Sequence, residues 1–544
     1  MSVVVEPPDG VPGLDTPATR PSPAAPAVPD LDAWIDGVLS RRPTVGLAVA
    51  VVRRGRPPRF VARGHASIAS RRPVTEDTVF RIGSVTKLVT GIAVMQLVER
   101  GLVDLDAPAN CALRAYRLVP AEPGLRSPTL RHLLTHTAGI PEVVHLRDLF
   151  HPDWGPFMAR PAIASAAVGG SLPSLANYYR GELRYVVEPG TIFAYSNHGF
   201  ATVGQIVEDV TGQPLDRTYR ERVFEPLGMA DTDLIRSERV RAALATGYEF
   251  GSRGPEAVTD REWLGPAGGG IYSTASDMAR LAAALLDGGA CVGATGDNPI
   301  LEPASLATMV APSFQPVPQL PGLGLGCFSG EVAGHRIVQH DGLLPGFAGM
   351  LVVAPHDEVA IVGLTNGSPN VHAWLPVELT ALLRELIGAP AEEPRGRFPQ
   401  HPEAWPELCG RYSPPSRIAD LRGRLALAGV DVRVRGDRLT ARILTPIPAL
   451  SRTFELEPDD PSDPNVFRID LSPFGLPMTR VVFARATDGR VTAAYADVLL
   501  QVFEKRPSIS GPSPLLAGAL GAIAIATAVR AARGRARSQK GAPS

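Results

Sequence analysis

Apolar and polar positions follow two regimes along the chain. Between about 31 and 388 the pattern is mixed. Leu31 to Arg41 predicts a short helix. Val45 to Val52 is a continuous, β-branched run and predicts a buried strand. From Ser84 to Arg100, Leu88, Ile92, Met95 and Glu99 step around the turns of a helix that Gly101 stops. Further strands are expected at about 324–330, 335–340, 347–354 and 358–364, then a helix at about 371–387. Strands gather at both ends of this stretch and helices lie between. The pattern predicts an α+β fold: an antiparallel sheet built from both termini, with a helical insertion.

After a proline-rich, charged linker at 389–404 the character changes. Val430, Val432 and Val434 alternate with Asp431, Arg433 and Arg435, and Gly436-Asp437 offers a turn. A second turn is expected at Asp488-Gly489. Residues 405–506 therefore read as a small all-β, barrel-like domain. Residues 1–30 are rich in Pro and Ala, with neither a basic n-region nor an apolar h-region. They predict a disordered leader and no secretory signal.

In the tail, 507–544, an apolar segment at 515–529 precedes Arg530, Arg533, Arg535, Arg537 and Lys540. As a helix it would be roughly 22 Å long, short of a hydrocarbon core of roughly 30 Å. It reads either as a membrane-associated helix, transmembrane or interfacial, or as a peripheral tail. Localisation therefore stands between membrane-associated and cytoplasmic.

Composition changes this picture in one respect. Across 544 residues, Lys+Arg minus Asp+Glu is 54 − 55 = −1, which gives no reason to expect nucleic acid as a partner. Yet only Lys87, Lys505 and Lys540 are lysines, and the other 54 − 3 = 51 basic residues are arginines. Arginine stays protonated in proteins, whereas lysine can be tuned into a base. The one lysine of the first 504 residues is thus a candidate for chemistry.

Lys87 follows Ser84 by three positions, so a helix brings ammonium and hydroxyl to one face. Serine is a poor nucleophile until a neighbouring base takes its proton. Burial and the positive end of a helix push a lysine toward its neutral, basic form. Tyr195-Ser196-Asn197, after a Pro-Gly turn, offers a phenol to relay a proton and an amide to orient the lysine and a substrate carbonyl. His340-Asp341-Gly342, at the end of an expected strand, offers a group for a substrate carboxylate or the tyrosine. Its glycine would let substrate approach the strand closely.

These three groups, in this order, resemble the serine β-lactamase and penicillin-binding-protein superfamily, most closely its class C-related branch. The stretches Phe80 to Lys87, Leu130 to Gly139 and Pro266 to Asp277 carry the same resemblance, which covers about 31–388. It implies a β-lactamase/DD-peptidase-like fold and an acyl-enzyme mechanism that needs no cofactor. Ser84 would be the nucleophile, Lys87 the general base and Tyr195 the proton relay, while Asn197 positions lysine and substrate. His340 stands where many lactamases carry lysine, a departure common among esterase and peptidase members. The N–H groups of Ser84 and Leu343 would form an oxyanion hole, with Gly342 beside it. The 405–506 region resembles the lipocalin-like β domains that follow some members.

The implied function is a serine hydrolase acting on an ester, a D-amino-acid peptide or amide, or a β-lactam, that is, on a small-molecule or peptide substrate. The alternative is a catalytically silent binding or scaffold protein at a membrane. His132 and His136 are spaced as zinc ligands can be, but no Glu follows the first, and a structural role is expected instead of a metal. Gly322, Gly324 and Gly326 lack dinucleotide spacing and read as a glycine-rich strand. Cys111, Cys291, Cys327 and Cys409 are far apart in sequence and read as buried free thiols.

Overall fold

The computed structural model describes residues 30–145, 165–167, 169–291, 299–389, 398–415, 428–445, 448–474, 476, 478–497 and 501–507. The expected leader (except Asp30), the segment 515–529 and part of the 389–404 linker lie outside them.

An eight-stranded sheet is built from strands between Gly46 and Thr365. Its order is Gly322–Leu323, Phe328–Val332, His335–Leu344, Phe347–Ala354, Val359–Thr365, Gly46–Arg53, Arg59–Ser67, Arg72–Pro73. Every pairing is antiparallel, and Gly46–Arg53 joins Val359–Thr365 from Leu47 opposite Thr365 to Arg53 opposite Val359. The sheet is thus closed by strands from the two ends of this region, as the hydrophobic pattern predicted.

From Gly46 to Val52 this strand is apolar without a break because both of its faces are covered. Ala48, Ala50 and Val52 pack into a core with the helices Thr86–Glu99 and Ala275–Leu286. Leu47, Val49 and Val51 pack on the other face against Leu31–Arg41 and Val371–Leu386. Alternation of side chains along a strand therefore serves two cores instead of one core and solvent. Asp30 caps the first helix by accepting from the N–H groups of Asp32 and Ala33.

Residues Gly410–Lys505 contribute a nine-stranded antiparallel sheet. Its two edge strands, Thr453–Glu455 and Glu457–Pro458, are consecutive in sequence, so the sheet curls into a nearly closed barrel. Gly436 takes φ +61° and Gly489 φ +83° at the two expected hairpin turns. This sheet leans on the first region: Gln319 Nε2 donates to Asp463 Oδ2 at 3.0 Å, and Arg480 Nη1 donates to the Gln319 carbonyl at 3.1 Å. Val466 and Val482 join Phe193, Val317, Leu320 and Leu323 in one apolar cluster.

Four expectations need correction. The reading of a transmembrane helix and membrane association is not upheld. Among the described residues no helix is long and apolar enough to cross a membrane, and 515–529 itself lies outside them. The strand expected at 335–340 continues to Leu344, so His340-Asp341-Gly342 is mid-strand. The glycine-rich strand ends at Leu323, and Gly326 (φ +86°) turns the chain over the Lys87 carbonyl. All four cysteines are free, but only Cys327 is buried, and Cys111 is exposed.

Candidate active site

The helix carrying Lys87 begins at Thr86, and every residue from Thr86 to Leu97 is buried. A helix that is apolar all round belongs in the middle of a fold. Its entry is a single 3₁₀ turn, Gly83–Val85, that leaves Ser84 half-exposed at the surface while Lys87 has no exposed area.

The turn sits against the free edge of the strand His335–Leu344. The neighbouring strand Phe328–Val332 pairs only as far as Gln339, so, among the described residues, 340–344 have no strand partner on that side. Contact there is too close for side chains. A Cβ on Gly342 would lie 2.0 Å from the Ile82 carbonyl and 2.8 Å from the Ser84 N–H nitrogen. A Cβ on Gly83 (φ +54°) would lie 2.8 Å from the Leu343 nitrogen. The glycine at 342 is therefore required by the protein's own turn; substrate approach need not be invoked. The amides of Ser84 and Leu343 are brought to the same small region by this contact.

Lys87 Nζ lies 3.0 Å from Ser84 Oγ and 2.9 Å from Asn197 Oδ1, and also contacts the Gly268 carbonyl. Tyr195 Oη is 2.7 Å from Ser84 Oγ. Ser84 is thus bracketed by an amine and a phenol. Thr90 Oγ1 donates to the Ala267 carbonyl at 2.7 Å, and Thr86 Oγ1 accepts from the Ile271 N–H at 3.2 Å. Those bonds pin the turn that carries Gly268 to the lysine's helix.

Burial sets the protonation states. It lowers the Lys87 pKa to about 7, against the opposing pull of Glu142 and Asp341. It raises the Tyr195 pKa, so the phenol keeps its proton. Burial, helped by Lys87, brings His340 down to about 3. Neutral His340 bonds the Asp341 carbonyl through Nδ1 at 2.6 Å and meets the Phe328 ring edge-on at 5.3 Å. It is thus a buried neutral ring, and the expected anchor for a carboxylate gains no cation from it.

Two contributors were not singled out as site residues from the sequence. His136, the first, was read only as structural. Its ring stacks on Tyr195 with centroids 4.2 Å apart and planes 25° apart, and its Nδ1 accepts from the Ser196 N–H at 3.0 Å. Glu142 is the second: it accepts from the Asn197 N–H and from Asn197 Nδ2, each at 2.7 Å. The stretch Leu130 to Gly139 pointed toward His136; nothing local marked Glu142. His132 caps the short helix Leu130–Leu134, its Nδ1 accepting from the Thr129 N–H.

Chemically, the arrangement sets a hydroxyl between a buried amine and a buried phenol, beside two backbone amides. A family model described as beta-lactamase matches residues 31–379. Penicillin-binding protein 4 from Amycolatopsis lactamdurans is 33% identical over 346 residues, 59% of this chain and 82% of that protein. Esterase EstB from Burkholderia gladioli is 33% identical over 251 residues, 43% of this chain and 57% of that protein. The solved structure of SurE matches with a TM-score of 0.59 at 22% identity, covering 88% of this chain and 98% of SurE. With the family match spanning well over half its length, the chain belongs to the beta-lactamase family of serine hydrolases.

Proposed function

We propose that this protein hydrolyses a neutral acyl substrate, an ester in the first instance, through an acyl-enzyme at Ser84. The observation that carries the reading is Ser84 Oγ held at 3.0 Å from Lys87 Nζ and 2.7 Å from Tyr195 Oη. Lys87, with its pKa lowered to about 7, is substantially neutral near pH 7 and takes the serine proton as Oγ attacks the carbonyl carbon. The N–H groups of Ser84 and Leu343 stabilise the oxyanion. Tyr195 stays protonated and gives its proton to the leaving alcohol, while the proton on Lys87 restores the phenol. Water then cleaves the ester at Ser84, with the same groups exchanging protons in reverse.

Neutral, buried His340 favours an ester or amide without a carboxylate beside the scissile bond. A β-lactam, which carries a carboxylate, loses a charged partner there. The relatives named as an esterase and a penicillin-binding protein bracket this choice. A catalytically silent scaffold has no need of a base and phenol both within hydrogen-bond reach of one serine. The test is steady-state turnover of p-nitrophenyl esters beside a chromogenic cephalosporin. Ester cleavage lost in Ser84→Ala supports the reading. Equal rates in wild type and Ser84→Ala contradict it, and faster cephalosporin turnover contradicts the substrate choice.

A further inference from the structure

Glu142 does not touch Ser84, yet its position constrains what Lys87 can do. An asparagine amide has an accepting end and a donating end, and a half-turn exchanges them. An ionised carboxylate only accepts. Glu142 Oε1 takes a hydrogen bond from Asn197 Nδ2, and Oε2 takes one from the Asn197 backbone N–H. The donating end of the amide must therefore face Glu142, and the oxygen must face Lys87 Nζ, 2.9 Å away. The reversed amide would set oxygen against carboxylate and take the acceptor away from one N–H of the amine.

A neutral amine has two N–H bonds and one lone pair. Around Lys87 Nζ, the Asn197 amide oxygen and the Gly268 carbonyl can only accept, so they take the two N–H bonds. Ser84 Oγ, the third neighbour, receives the lone pair. We propose that Glu142 is a positioning residue that locks the Asn197 amide and so directs the Lys87 lone pair at the Ser84 hydroxyl. Proton transfer then runs from Ser84 Oγ to Lys87 Nζ as the Oγ–acyl bond forms. A reversed amide would offer its own N–H to that lone pair and compete with the serine. The inference rests on the acyl-enzyme reading above.

Glu142 also acts on the lysine through its charge. Of the groups around Lys87, Glu142 and Asp341 favour the ammonium, whereas His136, His340 and Tyr195 are held uncharged by burial. Removing the Glu142 charge therefore moves the acid limb of acylation to lower pH. Losing the amide lock lowers the plateau. A purely structural residue would move the plateau alone.

The experiment measures the second-order rate of fluorophosphonate labelling at Ser84 from pH 5 to 10. It compares wild type, Glu142→Gln, Glu142→Asp, Asn197→Ala and the Glu142→Gln/Asn197→Ala double variant. Glu142→Gln is expected to lower the plateau by about 10- to 100-fold, in the range for misplaced catalytic groups. Its acid limb should shift to lower pH. In the Asn197→Ala background the same change should cost under about 3-fold, because the amide it holds is gone. Glu142→Asp, which keeps the charge, should retain the wild-type acid limb even if its shorter reach lowers the plateau. A wild-type plateau in Glu142→Gln, or an equal loss with and without Asn197, overturns the proposal. A displaced limb in Glu142→Asp overturns the charge component. No Ser84 adduct in wild type removes the acyl-enzyme reading and this inference with it, a different result from normal labelling in Glu142→Gln.

Discussion

The ring of His136 lies face to face with that of Tyr195, 4.2 Å between centroids, while the Tyr195 hydroxyl reaches Ser84 Oγ at 2.7 Å. His136 sits at φ +55°, a conformation that non-glycine residues adopt rarely. It stacks on one residue and accepts the backbone N–H of the next, so it fixes the direction of the phenol. Strained residues of this kind persist where the surroundings over-determine them.

His136→Ala should therefore destabilise the fold by about 2–3 kcal/mol, from a lost buried hydrogen bond and lost ring contact. His136→Asn tolerates the left-handed backbone and keeps an acceptor, but cannot stack. It should recover stability without recovering kcat. Thermal melts and ester kinetics on both variants check this; full activity in His136→Asn would remove the stacking role.

Lys87→Arg should abolish acylation, with kcat/KM falling by about 1000-fold or more, because arginine keeps the charge but cannot serve as the base. Measurable burst labelling at the wild-type rate in this variant would rule out lysine as the base.

The wild-type pH profile follows from the same residue. On the proposed mechanism the neutral form of Lys87 is the active one, so acylation should rise with pH through about 7 and level off above it. Stability is linked to the same titration. The folded pKa is lowered from 10.5 to about 7, so between these values the unfolded chain binds the proton and the folded chain does not. Stability from this group therefore increases as pH rises from about 7 to 10.5. Lys87→Met cannot titrate there. Its melting temperature relative to wild type should fall steadily between pH 7 and pH 10. A difference independent of pH would contradict a neutral lysine in the fold.

Gly342→Ala tests the contact between strand and turn. The added Cβ meets the Ile82 carbonyl at 2.0 Å, so the Ser84 turn and the Leu343 amide must separate. Acylation should fall by about 100-fold, the scale seen for loss of one oxyanion donor. Unchanged kinetics would show that the two amides do not act together.

Much of this was legible in the sequence because it was local. Leu31–Arg41, the buried Gly46–Arg53 strand and the Ser84-to-Lys87 spacing each depend on neighbours along the chain. The nearness of Tyr195 and Asn197 to Ser84 and Lys87 was expected from a short motif. His136 on Tyr195 and Glu142 on Asn197 join residues more than fifty positions apart, and only folding brings them together. The neutral state of His340 was not legible for a related reason: burial sets it, and neighbours in sequence do not reveal burial. The close packing at Gly342 was not legible because the group pressing on it is Ile82, from another element.

The most direct measurement is mass spectrometry of the intact protein, then of its peptides, after brief exposure to a fluorophosphonate or an activated ester. One adduct per chain on the peptide containing Ser84, absent in Ser84→Ala, is the predicted result. An adduct on another residue, or none in wild type, would contradict a Ser84 acyl-enzyme.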